Sequence, residues 1–212
     1  MPAQVSESLI LRTYPFKEAD LIVSFLTRDH GKMRGAANRA RKPKSGFGAG
    51  LERLSHTNLS YFEKENRELV RIDRSELIEA HFSSPSYEVS VALDFFAEVT
   101  ELLLPPHEVN ERYFRLLLAV MEDLKHCDPH SMWKAVGYFS FWSVRLQGFL
   151  PHIELSEQSR AIALAFLSNP VGNLAGEGWN KATAQDLRRP LIRLIEEHTE
   201  RRLLTAQFLE AL

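Results

Sequence analysis

Through about residue 75 the apolar positions recur at every second residue in short runs, and beyond Glu76 they recur every three or four. Ser8 to Thr13 reads as a first strand, with Leu9 and Leu11 on one face and Ile10 on the other. Leu21 to Thr27, built from Leu, Ile, Val and Phe, reads as a second. Arg28-Asp29-His30-Gly31 has the composition of a tight hairpin connection, with Gly31 free to take positive φ, and Lys32 to Asn38 pairs back as a third strand. Arg39 to Gly50, with Pro43, Gly46, Gly48 and Gly50, is irregular. Leu54 to Phe62 predicts a fourth strand: Leu54, His56, Asn58, Ser60 and Phe62 share one face, and Thr57, Leu59 and Tyr61 the other. Of its aromatics Phe62 is the one expected in the core, while Tyr61 and the more distant Phe47 are left open between core and surface. Glu68 to Ser75 is the fifth strand. Five short antiparallel strands in so little chain predict a small closed barrel, SH3-like or OB.

The helical part begins with Tyr87 to Leu104, which stops at Pro105-Pro106. Asn110 is placed to cap a second helix, whose Tyr113, Leu116, Leu117, Val120, Met121 and Leu124 follow the one-faced helical spacing. Pro129 and Ser131 open a third, which runs to about Gln147 and is apolar all round, as the centre of a bundle must be. Ser156 to Leu167 is shorter. Thr183 followed by Asp186 resembles a capping box, and Pro190 then either kinks that helix or marks its first turn. Thr205 to Leu212 is the last. The fold class expected is α+β, with a barrel domain over 1–78 and an all-helical domain over 79–212.

Composition changes this picture in two places. With 212 residues, 44% hydrophobic and 25% charged, the chain can bury a core and does not have a disordered composition. No apolar run reaches the roughly 20 residues of a membrane helix and no signal peptide opens the chain, so a cytoplasmic protein is expected. The single cysteine, Cys127, excludes an internal disulfide framework and a four-cysteine metal site within this chain. A net charge of -2 argues at first against a nucleic-acid partner. It conceals an asymmetry, however: residues 1–79 carry +3 and the remainder -5. From His30 to Leu51 there is no acidic residue, and Lys32, Arg34, Arg39, Arg41, Lys42 and Lys44 fall within 13 positions.

Enzyme motifs fail one by one. Gly46-Phe47-Gly48-Ala49-Gly50 lacks the spacing of a dinucleotide fingerprint and the Lys-Ser/Thr ending of a phosphate loop. Ser131 and Lys134 match SxxK without its companion motifs, so Ser131 reads as a helix cap. His107-Glu108 has no second His at position 111, and His126, Cys127 and His130 have no partner pair beyond His152. No catalytic residue, metal or cofactor is expected. The basic stretch needs no exact spacing to act: cations on a glycine-containing segment neutralise phosphates, and Phe47 and Tyr61 are candidate stacking surfaces for bases. A second cation-rich region, with Lys181, Arg188, Arg189, Arg193, Arg201 and Arg202, is interleaved with Leu187, Leu191, Leu194 and Leu203. It fits either ordinary amphipathic packing or an apolar pocket with a basic rim for an acidic peptide tail.

Ser8-Leu9-Ile10-Leu11-Arg12-Thr13, Phe16-Lys17-Glu18-Ala19-Asp20 and the run from Phe25 to Ala37 resemble the opening of the RecO family of bacterial DNA repair and recombination mediators. The likeness continues through Arg39 to Phe47 and Leu51-Glu52, and more loosely at Phe96 to Leu102 and Leu146 to Pro151. The resemblance implies an N-terminal OB-fold and a helical C-terminal domain. It implies binding of single- and double-stranded DNA and annealing of complementary strands. It also implies help in loading recombinase, with RecR and the C-terminal tail of single-strand-binding protein as partners in the bacterial cytoplasm, at the nucleoid. By position, the family's basic loop falls on Arg39, Arg41, Lys42 and Lys44, with Lys32 and Arg34 on the preceding strand. Two features depart from the family pattern. Asn38-Arg39 stands where the family carries lysine-glycine, and Pro151 runs directly toward helix where many members insert a four-cysteine zinc ribbon.

Overall fold

The alternating first part of the chain forms five strands: β1 (Gln4–Phe16), β2 (Asp20–Thr27), β3 (Gly31–Ala37), β4 (His56–Phe62) and β5 (Val70–Glu79). The structure is a computed structural model that describes residues 3–42, 45–63, 68–80, 86–125, 132–175 and 178–212. The strands close into a barrel in the order β1-β2-β3-β5-β4, with β4 returning to pair β1. Only the β3–β5 seam is parallel, through Gly35↔Val70, Ala36↔Arg71 and Ala37↔Ile72. This is the OB-fold, the second of the two barrels expected.

Inward side chains from every strand, including Ile10, Phe25, Met33, Leu59, Tyr61 and Ile72, fill the barrel. Phe47 and Leu51 plug it from a short 3-10 turn at Gly48–Leu51 and its approach. The alternation on β4 holds, but Thr57, Leu59 and Tyr61 are the buried set and Phe62 faces outward. That corrects the expectation of Phe62 as the core aromatic; a two-residue period marks two faces without saying which is inside. Leu54 sits before β4 in a left-handed turn (φ 54) and not in the strand. On β1 the register slips between Ile10 and Arg12, a bulge that leaves Leu11 unpaired and re-aims the strand beyond it.

Six helices follow among the described residues: α1 (Tyr87–Leu103), α2 (Glu111–Lys125), α3 (Met132–Leu146), α4 (Glu157–Ser168), α5 (Gln185–Thr199) and α6 (Leu204–Ala211). Asn110 caps α2 as expected, its side-chain oxygen accepting from the Tyr113 N–H at 3.0 Å. Pro129 and Ser131, expected to open α3, lie outside the described residues. Buried residues run from Met132 to Phe141 without a break, as its all-round apolar sequence requires. The Thr183–Asp186 pair does not form a capping box. Ala184 is the N-cap of α5, at φ 51, and Asp186 accepts instead from the Ser156 N–H at 2.8 Å and from the Ser159 hydroxyl, holding the first turn of α4. Pro190 is inside α5. No helix among the described residues is long and apolar enough to cross a membrane.

The chain groups into two compact units, one of residues 1–83 with 100–114 and one of residues 84–99 with 115–212. The first is thus the barrel plus a later segment. Within it, the His107 N–H donates to the Lys32 carbonyl at 2.9 Å, and the Phe114 ring meets His56 edge-on. Gly31 (φ 74) has no room for a side chain, because a Cβ there would stand 2.3 Å from the Glu108 carbonyl oxygen.

Candidate nucleic-acid interface

Beyond β3 the chain turns through Arg39, which takes a left-handed conformation (φ 57). The turn is tied to the tip of the β1–β2 hairpin: the Arg39 N–H donates to Asp20 Oδ1 at 2.8 Å and the Arg41 N–H to the Ala19 carbonyl at 3.0 Å. These two bonds fix the backbone and leave Arg39, Arg41 and Lys42 exposed. Among the described residues none of these three cations forms an ion pair. Lys44 lies outside the described residues.

Lys32 and Arg34 are placed differently. Both project from the outer face of β3 toward Glu101, in the first unit. The Lys32 ammonium is buried and donates to the Glu101 main-chain carbonyl. Burial pulls its pKa below the ordinary lysine value, partly opposed by the Glu101 carboxylate. Arg34 pairs with Glu101 Oε1 at 2.9 Å, and that charge-assisted bond raises its pKa. Ser24 on β2 donates to the other carboxylate oxygen at 2.5 Å. Lys32, expected among the exposed cations of the basic stretch, is thus turned into the protein, and Arg34 is held by Glu101.

The two aromatics expected to stack on bases are core residues. Phe47 and Tyr61 are 7% and 0% exposed. Tyr61 stands 5.9 Å from Phe25 between ring centroids, and burial pushes its phenol up to about 12. Phe62 is half-buried on the outer face, with the Arg71 guanidinium 4.5 Å above its ring. The structure therefore places Tyr61, left open by the sequence, in the core and turns Phe62 outward.

Sequence reasoning missed the hairpin. Past the bulge, β1 presents Arg12, Tyr14 and Phe16, with Arg12 over the Tyr14 ring at 5.1 Å and Lys17 over Phe16 at 5.2 Å. Following paired residues across the sheet gives one outer row, Tyr14–Ile22–Ala36–Arg71–Phe62, with an aromatic ring at each end. Alternating aromatic and cationic positions in this strand were the available signal. The outer face thus combines exposed cations on a fixed loop with ring faces already carrying guanidinium, the combination that single-strand surfaces use.

In the second unit the cation-rich region disperses. Arg188 is 1% exposed, with its guanidinium 4.2 Å above the Trp133 ring and bonded to the Lys181 carbonyl at 2.8 Å. Burial lowers its pKa to about 10. It is a core residue, which corrects its assignment to a peptide-binding rim. Arg189 pairs with Glu210 at 2.8 Å, a bond that raises its own pKa and holds the Glu210 carboxyl down. Arg193, Arg201 and Arg202 are exposed. Between α5 and α6 lies a groove of about 510 Å³, with Ile192, Leu203 and Ala206 at its base and Arg189, Arg193 and Glu196 at its edge.

Residues 1–81 match the family model described as recombination protein O N terminal. Over 98% of both chains, the sequence is 36% identical to a DNA repair protein RecO from Koribacter versatilis. It is 31% identical to the RecO of Bifidobacterium longum subsp. infantis, over 81% of this chain and 72% of that one. The RecO of Thermodesulfovibrio yellowstonii is 32% identical over 69% of this chain and 58% of its own.

Proposed function

The chain belongs to the RecO family of DNA repair proteins, and on that premise we propose that it is a non-catalytic recombination mediator that binds single- and double-stranded DNA and anneals complementary strands. The observation that carries this reading is the loop clamped to the hairpin tip, which leaves Arg39, Arg41 and Lys42 exposed on the same barrel whose outer row ends in the Tyr14 and Phe62 rings. Cations so placed neutralise phosphates of any sequence and release counterions. Ring faces then hold unpaired bases, which brings two strands together without consuming a nucleotide triphosphate. The partners that follow are DNA, RecR and the acidic C-terminal tail of single-strand-binding protein, in a cytoplasmic, nucleoid-associated setting.

The test is DNA binding by the full chain at two salt concentrations. Arg41→Ala with Lys42→Ala weakens binding to all sequences and lowers the salt slope by about 1.4 on single strands. Unchanged affinity and slope in that variant refute the reading. Annealing of complementary oligonucleotides without triphosphate is the accompanying assay.

The α5–α6 groove supports a second reading, a protein-interaction adaptor that docks an acidic tail, with the basic loop only a solvated surface. Glu210 already engages Arg189, so Arg193 is the rim cation left to meet a carboxylate. In the full chain, Arg193→Glu abolishes binding of a short acidic peptide under this reading and leaves DNA binding untouched. DNA binding that fails in the native protein while the peptide still binds selects the adaptor.

A further inference from the structure

A cavity of about 410 Å³ opens where the loop after β3 meets the end of the barrel, wholly within the first unit. Its floor is apolar: Leu21, Ala40, Phe47 and Leu51, all part of the barrel core or packed against it. Its mouth is polar, with the Thr13 hydroxyl, the Glu52 carboxylate and the Arg53 guanidinium. On either side of Ala40 stand the exposed cations Arg39 and Arg41, whose backbone N–H groups are bonded to Asp20 and Ala19.

From this arrangement we propose that the cavity seats a single unpaired nucleobase of a DNA strand whose flanking phosphates lie on Arg39 and Arg41. This rests on the DNA-binding reading above and adds to it a means of telling single from double strands. Charge selects the occupant: two exposed cations on the residues adjoining Ala40, whose backbone is pinned, favour an anionic chain that carries apolar rings at short intervals. Chemistry at the mouth agrees, since the edge of a base presents both donors and acceptors, and the Thr13 hydroxyl and the Glu52 carboxylate offer both in return. The volume, near the lower end of small-ligand pockets, is ample for a nucleobase. A base paired within a duplex cannot enter without leaving its stack, and that cost falls only on double-stranded DNA. The loop bonds to Asp20 and Ala19 hold Ala40 in place, so the cavity is formed before the strand arrives.

The experiment compares the native full chain on two single strands of equal length and charge, one with bases throughout and one with a central abasic tract. The base-bearing strand is expected to bind about tenfold tighter. Ala40→Phe, which fills the cavity from its floor, lowers the affinity for the base-bearing strand several-fold toward the abasic value and leaves the salt slope unchanged, the remaining preference coming from the Tyr14 and Phe62 rings. Equal affinity for the two strands in the native protein overturns the inference without recourse to any variant, while binding to both keeps the DNA reading intact. A discrimination undiminished in a folded Ala40→Phe protein, judged by its thermal melt, also overturns it. Failure of both strands to bind overturns the DNA reading itself.

Discussion

The two cation-rich stretches, residues 32–44 and 181–202, look alike in sequence and are used in opposite ways. In the second, Arg188 is spent on the core against Trp133 and Arg189 on Glu210. In the first, Arg39, Arg41 and Lys42 stand on a turn whose backbone is pinned and whose side chains are not. Even within the first stretch the two halves differ, because Lys32 and Arg34 are held by Glu101. What matters for binding an anion is the distance from each cation to the nearest acid in space. Charge density along the chain does not report it.

The largest effect that tests this contrast belongs to Arg188. Arg188→Ala removes a buried side chain and its cation–π contact and lowers stability by about 3 kcal/mol in urea unfolding, with DNA affinity unchanged. Arg188→Met keeps volume while removing a buried charge, and costs less than half as much. Equal costs for the two would break the view of Arg188 as a packing residue. Next comes a matched pair that removes two charges from each stretch. Arg41→Ala/Lys42→Ala lowers DNA affinity about tenfold at low salt, whereas Arg189→Ala/Arg193→Ala leaves it within about twofold. Similar losses from both pairs would remove the distinction.

Glu101→Gln probes the middle case. It weakens the hold on Arg34 and raises DNA affinity about twofold, read by anisotropy, while lowering the melting temperature slightly. A fall in affinity would show that Glu101 orients Arg34 for DNA instead of withholding it. The smallest effect is the acid side of the stability profile. Burial pushes the Asp186 carboxyl up, but bonds from Ser159 and Ser156 outweigh it and leave the pKa below its ordinary value of 3.8. A depressed carboxylate adds stability that is complete above its unfolded value and lost as pH falls through the folded one. Asp186→Asn therefore costs at most about 1 kcal/mol near neutrality and flattens the loss of stability below pH about 4. A profile identical to the native one would exclude Asp186 as the helix anchor.

Much of the architecture was legible because strand and helix periods depend on local sequence. All five strands and the six helices stand where alternation and helical spacing put them, with ends shifted by a few residues. The site was less legible, for reasons that are particular. Glu101 meets Arg34 across 67 positions, a partnership no local pattern encodes. Phe62 turned outward and Tyr61 inward because alternation does not say which face closes inward. Thr183 and Asp186 had the spacing of a capping box, yet the aspartate serves the start of another helix 30 positions earlier. The β1 bulge, which re-aims Arg12, Tyr14 and Phe16, leaves no mark in a sequence where Leu9, Ile10 and Leu11 are all apolar.

Gly31, wedged against the Glu108 backbone, sets a schedule for biosynthesis. The barrel strands end at Glu79, but the unit they belong to takes in residues 100–114. A nascent chain released only to the end of β5 has its five strands and lacks the segment that meets Lys32, His56 and Gly31. At bacterial elongation rates of about 5–20 residues per second, the remaining stretch to Phe114 takes several seconds. For that interval the surface around Gly31, Lys32 and His56 that the later segment covers has nothing packed on it.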